Sequence, residues 1–273
     1  MNKIIDRFPF ISRMVLAIVF GIIAIIGSQL IYNMVPFLKT YFPFVGEVLL
    51  VLVTAFLYRT DGQDLSAIGL NLSFRNIGLL FLGLTIGIAG LGLATFLRTI
   101  YTGEQWHIST GISTTSLLKS LYYILPSVTV QELMFRGYPF TKTISVIGVV
   151  KANILFALLF MLVHVLDEDV LRNPVRMIML AITIPVGHLF FATGLLRTKT
   201  LLFPIGLHWG NNWAVNHLVG WNNNENVILY LTDQKIYTEW LPFIMLMLIF
   251  NGCFLLITAL IWKCGRPGVK PVN

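Results

Sequence analysis

Three short stretches of this chain put chemistry where apolar residues dominate. The first is Gln131-Glu132-Leu-Met-Phe-Arg136-Gly137, in which Glu132 and Arg136 stand four apart. On a helix that spacing places them on one face, where they can pair. The second is Phe160-Met-Leu-Val-His164, and the third is His208-Trp-Gly-Asn211-Asn212, continued by Asn216 and His217. His208 and Asn212 are one helical turn apart and face the same way. Each stretch has a plain reading. Glu132 with Arg136 can be a structural ion pair, because pairing offsets the cost of burying either charge. A lone His164 can be a core imidazole with its needs met. The density of polar groups from His208 to His217 is harder to assign to packing, and points to a cavity that admits water.

Together the stretches supply a carboxylate, two imidazoles and a carboxamide. A carboxylate or imidazole can take a proton from water. An imidazole and an amide can donate hydrogen bonds to a developing oxyanion. That chemistry is hydrolysis. Glu132, His164 and His208 could equally hold a divalent metal such as zinc, and a proton relay in a small-solute transporter would use similar groups.

The elements that must position these groups are helices in lipid. The 273 residues are 56% hydrophobic and 11% charged, less than half the charged share usual in soluble domains. Such a chain needs a lipid bilayer as its solvent. Eight apolar stretches read as spans: 14–38, 44–58, 77–97, 117–141, 145–166, 177–196, 200–219 and 240–263. The fold class expected is therefore all-α, a polytopic transmembrane bundle of about eight spans. The second stretch is short and carries Glu47. The first is too long for a signal h-region and reads as a retained span. The chain divides into N-terminal helices (1–116), a core holding all three motifs (117–219), and an external loop with a last helix (220–273).

The net charge of +7 comes from basic residues in short loops, which reads as membrane topology and excludes nucleic acid as a partner. With eight spans one side holds Lys3, Arg7, Arg13, Arg59, Arg75, Arg136, Lys142, Lys151, Arg197, Lys199, Lys263, Arg266 and Lys270. The other holds Lys39, Arg98, Lys119, Arg172, Arg176 and Lys235, with the acidic run Asp167-Glu168-Asp169 and the polar loop 222–225. The excess puts both termini in the cytoplasm, an arrangement that fits a bacterial plasma membrane. Gly83 and Gly87, followed by Gly90 and Gly92, predict a close helix contact within the bundle or, more weakly, a dimer face. Residues 98–116 read as an external loop. Cys253 and Cys264 suggest neither a disulfide framework nor a metal site. No repeat between the halves of the chain, a feature common in transporters, is visible.

In these motifs the sequence resembles the CPBP family, the CAAX-protease and bacteriocin-processing (Abi) intramembrane proteases. The family pattern runs Glu-Glu-x-x-x-Arg, Phe-x-x-x-His, His-x-x-x-Asn. Here it stands as Gln131-Glu132-x-x-x-Arg136, Phe160-x-x-x-His164 and His208-x-x-x-Asn212, over about 117–219. The resemblance implies an intramembrane endopeptidase. In it the first Glu of the pair and His164 activate water, and His208 and Asn212 stabilise the oxyanion. Members are described as metalloproteases and as glutamate-type proteases. Substrates include prenylated CAAX proteins, and bacterial members are linked to peptide processing, bacteriocin immunity and regulation. The expected partner is a peptide or lipidated protein at the membrane, near the cytoplasmic leaflet. One position departs from the pattern: Gln131 replaces the first Glu, and a carboxamide accepts no proton near neutral pH. Either Glu132 turns toward the water, or His164 acts as base, or the fold is kept for binding without hydrolysis. A one-residue step rotates a helical side chain by about 100°, so Glu132 is not a simple replacement.

Overall fold

The computed structural model describes residues 9–220, 222–224, 226–233, 235 and 239–264. Lys3, Arg7, Glu225, Arg266 and Lys270, all used above for topology, lie outside them. The fold is all-α with one small sheet. Its helices are α1 (Pro9–Met34), α2 (Pro36–Tyr41), α3 (Val45–Thr60), α4 (Phe74–Thr102), α5 (Thr114–Arg136), α6 (Tyr138–Ile147), α7 (Val149–Val165), α8 (Glu168–Leu171), α9 (Pro174–Thr198), α10 (Leu202–His217) and α11 (Trp240–Cys264). Strands β1 (Gln105–Ile108), β2 (Val219–Gly220) and β3 (Leu229–Thr232) form the sheet in the order β1-β3-β2. β1 pairs antiparallel with β3 (Trp106 opposite Leu231), and β2 parallel (Val219 opposite Leu229).

Among the described residues four helices are long and apolar enough to cross a membrane: Phe10–Met34, Phe74–Thr102, Pro174–Thr198 and Trp240–Cys264. The eight predicted stretches are all helical, but the other four stop short of that standard for physical reasons. α3, α7 and α10 have 16, 17 and 16 residues. At about 1.5 Å per residue they rise some 24–26 Å, less than a hydrocarbon core of about 30 Å. α5 is longer but contains Lys119, Glu132 and Arg136.

The predicted stretch 117–141 is also not one helix. Gly137 breaks it: the chain there leaves helical geometry, and a Cβ would sit 2.2 Å from the Leu133 carbonyl oxygen. Pro139 then sits in the first turn of α6, where its missing N–H costs nothing. α6 takes residues 138–147, so the following helix starts at Val149 rather than 145.

The helix ends collect on two faces. On the terminal face, where α1 begins and α11 ends, Arg13 bonds Thr60 through Nη1 (2.7 Å), Lys142 pairs with Asp61 (2.6 Å), and Arg75 donates to the Thr198 carbonyl (3.0 Å). On the opposite, sheet face lie α2, α8 and the three strands. There the predicted external loop is partly structured: Arg98 clamps Glu104 with two bonds (2.8 and 2.7 Å), and Thr110 and Asn223 tie the two loops together.

The tightest seam joins α4 to α10. A Cβ added at Gly206 would stand 2.0 Å from the Leu80 carbonyl oxygen. One at Gly210 would stand 2.0 Å from that of Leu84, and one at Gly87 would stand 2.2 Å from that of Leu207. The glycines of α4 therefore serve an intrachain contact, backbone against backbone, as small-residue pairs do in lipid. On its other side α10 is pinned to α5 by the indoles of Trp209 and Trp213, which donate to the carbonyls of Leu121 (2.9 Å) and Leu117 (3.2 Å). These two seams fix the height and rotation of α10, and with them His208.

Candidate active site

α5, α7, α9 and α10 converge on a knot of buried polar groups. Glu132 and Arg136 have no exposed surface, and His208 has 4%. Arg136 donates through Nη1 to Glu132 Oε1 (3.0 Å), and His208 Nδ1 donates to the same oxygen (2.8 Å). The ring of His208 stacks on Phe191 (centroids 4.4 Å, 18° between planes). The Arg136 guanidinium lies over Phe160 (4.1 Å) and near Phe191 (5.2 Å). These ring faces offset part of the desolvation that its remaining nitrogens incur, since Nε and Nη2 make no hydrogen bond. With Nδ1 committed to the carboxylate, the basic site of His208 is Nε2.

His164, the penultimate residue of α7, bonds through Nδ1 to the Phe160 carbonyl (2.8 Å). The carbonyl can only accept, so Nδ1 carries the proton and Nε2 is left basic. Phe160 thereby serves twice: its backbone orients His164, and its ring separates His164 (4.5 Å) from His208 (6.2 Å).

Beside this knot lies a cavity of about 820 Å³. Gln131, His164, His208, Asn211, Asn212 and Asn216 form its polar end; the remaining walls, from α4, α9 and α11, are mostly apolar but carry Thr95, Arg98, Thr183 and Asn251. Of the predicted site residues, Gln131, His164, His208 and Asn212 therefore share one cavity. Glu132 does not line it. The one-residue step between Gln131 and Glu132 turns the carboxylate inward, toward Arg136 and the rear of His208. His217 also stands apart: its Nδ1 bonds the Asn226 carbonyl (2.8 Å) at the sheet face.

The donor set does not fit a three-ligand metal centre of Glu132, His164 and His208. One Glu132 oxygen is shared between Arg136 and an imidazole N–H, the other is buried without a hydrogen bond, and a cation there would face the Arg136 charge. Among the described residues no three His, Cys, Asp or Glu stand close enough to hold a metal ion.

His188 was not anticipated. It sits in α9 with no exposed surface, packed edge-on to Phe140 (5.6 Å), and neither ring nitrogen has a hydrogen-bond partner. The available signal was an ionisable residue in the middle of a stretch read as a span.

No curated protein and no solved structure matches the chain. Residues 113–214 match the family model described as type II CAAX prenyl endopeptidase Rce1-like. That segment runs from the cap of α5 to Ala214 and contains all three motifs. The match agrees with the CAAX-protease (CPBP) resemblance of the three motifs and is confined to the segment 113–214, which carries the polar end of the cavity.

Proposed function

We propose that the protein is an intramembrane peptidase of the CAAX-protease/Abi type, hydrolysing a peptide bond in a membrane-associated or lipidated peptide. The observation that carries this reading is the Glu132–His208 dyad backing a cavity also lined by His164, Asn212 and Gln131. A buried carboxylate that accepts the Nδ1 proton fixes the imidazole tautomer and stabilises the imidazolium formed when Nε2 takes a proton, the logic of carboxylate–histidine pairs in hydrolases. In this scheme water gives a proton to His208 Nε2 and its oxygen adds to the scissile carbonyl. The oxyanion accepts hydrogen bonds from the amide of Asn212 and from that of Gln131. Collapse breaks the C–N bond, and the imidazolium returns the proton to the leaving amine. His164 Nε2 accepts a hydrogen bond from the water and orients it. Gln131 is then a donor, and the carboxylate that the family places there acts from one residue further on, through His208.

The wider reading places the helices of all eight apolar stretches across the membrane, with 117–219 as catalytic core between the helices of 1–116 and the loop and last helix of 220–273. Both termini lie in the cytoplasm, and the membrane is a bacterial plasma membrane. Cleavage of a peptide library by the purified protein tests the activity. His208→Ala should lower the rate by about 10²–10⁴-fold, the range for loss of a general base. Equal cleavage by that variant sinks the proposal.

Gln131 favours a second reading, a catalytically impaired member that acts as an immunity or regulatory protein by binding. It predicts no turnover by the native chain, turnover gained in Gln131→Glu, and cellular function that survives His164→Ala and His208→Ala.

A further inference from the structure

The cavity is one-sided. On α10 its lining climbs from His208 through Asn212, Val215 and Asn216 to Val219 and Gly220 of β2. No residue of α10 before His208 takes part. On α4 it runs from Leu91 to Arg98, in the half that ends at Thr102. On α11 it runs from Phe243 to Phe254, from near the start at Trp240 to just past the middle. His164 is at the sheet-face end of α7, and Leu231 of β3 closes the lining. Every wall therefore leads from the polar site toward the sheet face, where Asn216 and Val215 are exposed. Below the site toward the terminal face, the interior is filled by the Glu132–Arg136 pair, Phe140, His188 and Tyr138, all with at most 1% exposure.

The two faces differ in charge. The terminal face carries Arg13, Arg59, Arg75, Lys142, Lys151, Arg197, Lys199 and Lys263 against Asp61 and Asp64. The sheet face carries Lys39, Arg98, Lys119, Arg172, Arg176 and Lys235 against Glu104, Asp167, Glu168, Asp169, Asp233 and Glu239. By the Lys and Arg bias, eight on the terminal face against six on the sheet face among the described residues, the terminal face is the cytoplasmic one, so the cavity extends away from the cytoplasm.

We propose that the site is loaded from the extracytoplasmic side. Resting on the peptidase reading, this names the substrate class: an exported peptide, or a peptide anchored in the outer leaflet, and not the lipidated tail of a cytosolic protein. It departs from the expectation of cleavage near the cytoplasmic leaflet. The apolar walls from α4, α9 and α11 suit a peptide with an apolar segment beside the bond cut.

Thiol accessibility tests the assignment. Cys253 is buried and Cys264 is exposed at the terminal-face end of α11, so the chain carries its own reporter for the opposite side. In a Cys253→Ala background, a membrane-impermeant maleimide should label Cys264 in inverted vesicles and not in spheroplasts. With Cys264→Ser and Asn216→Cys, labelling should appear in spheroplasts and be lost in inverted vesicles. Val219→Cys should repeat the result and serves if the Asn216 variant does not accumulate. Labelling of the cavity thiol in the same preparation as Cys264, or in neither, overturns the proposal. The readout needs no turnover. A cavity labelled from outside in a protein that cuts nothing sinks the peptidase and leaves the access assignment standing, and cleavage with the opposite labelling does the reverse.

Discussion

Glu132 holds two partners on one oxygen while its second oxygen stays without a hydrogen bond. Glu132→Gln removes the charge that compensates a fully buried guanidinium. Breaking a buried pair in this way costs about 3–5 kcal/mol, so the variant should unfold at clearly lower temperature in detergent, and thermal melts will measure it. Asn212→Ala touches no such pair and should lower kcat by about 10²–10³-fold, the loss seen on removing one oxyanion donor, with the melting temperature unchanged. The residue types and spacings of all three motifs were readable in the sequence, because i, i+4 pairs report a shared helix face. Which member of Gln131-Glu132 meets the cavity was not. Adjacent residues differ only by rotation about the helix axis, and that rotation is set by the Trp209 and Trp213 anchors on the next helix. His188 carried only the signal of an ionisable residue inside a span, since a single imidazole in an apolar run has no partner in sequence to mark its role.

At the scale of elements, the α4–α10 seam controls the site from a distance. Gly206→Ala and Gly210→Ala each drive a methyl into a carbonyl of α4, with backbone on both sides and no flexible side chain to yield. Overpacking of this kind typically costs about 1–3 kcal/mol. Both variants should melt earlier, and by shifting α10 they should weaken cleavage although neither residue lines the cavity. Gly92→Ala, which meets only the end of the Leu218 side chain at 3.3 Å, is the mild comparison. The small-residue spacing on α4 was legible as a close contact, but its partner was not, because Gly206 and Gly210 lie more than a hundred residues away. The break at Gly137 also escaped notice, for a glycine followed two residues later by proline inside an apolar run looks like a continuous span. The short strands were hidden for a related reason. β1 and β3 have four residues each and are held by pairing across 120 residues rather than by a local pattern.

Across the whole molecule, the terminal face is tied by Asp61. Burial alone would raise its pKa, but hydrogen bonds from Lys142 and Tyr138, with the charges of Lys142 and Arg13, more than offset that and hold it below the ordinary aspartate value. The folded state thus binds this proton less readily than the unfolded chain. The stabilisation is present above the unfolded pKa of about 3.9 and is lost as pH falls through the folded value. Melting temperatures measured from about pH 6 down to about pH 3 should therefore fall more steeply for the native protein than for Asp61→Asn. If the two slopes coincide, the cluster does not link α3 to α6 energetically. The basic bias of this face was visible in the loops. Its cross-links were not, because Arg13, Asp61 and Lys142 come from three separate segments.

The ion pair of α5 has a bearing on how the chain is made. Glu132 and Arg136 belong to the same helix, so they can neutralise one another during synthesis, before any other helix has docked. A segment that would otherwise present two full charges to the lateral exit of an insertion channel presents a dipole instead. A partner on a different helix could not give that protection, because it would not yet exist or would have to wait in lipid with its own charge exposed. His208 lies 76 residues further along the chain, and in the folded protein it meets a carboxylate that Arg136 also holds. In order along the chain, the most costly component of the site thus comes first, with its partner on the same helix.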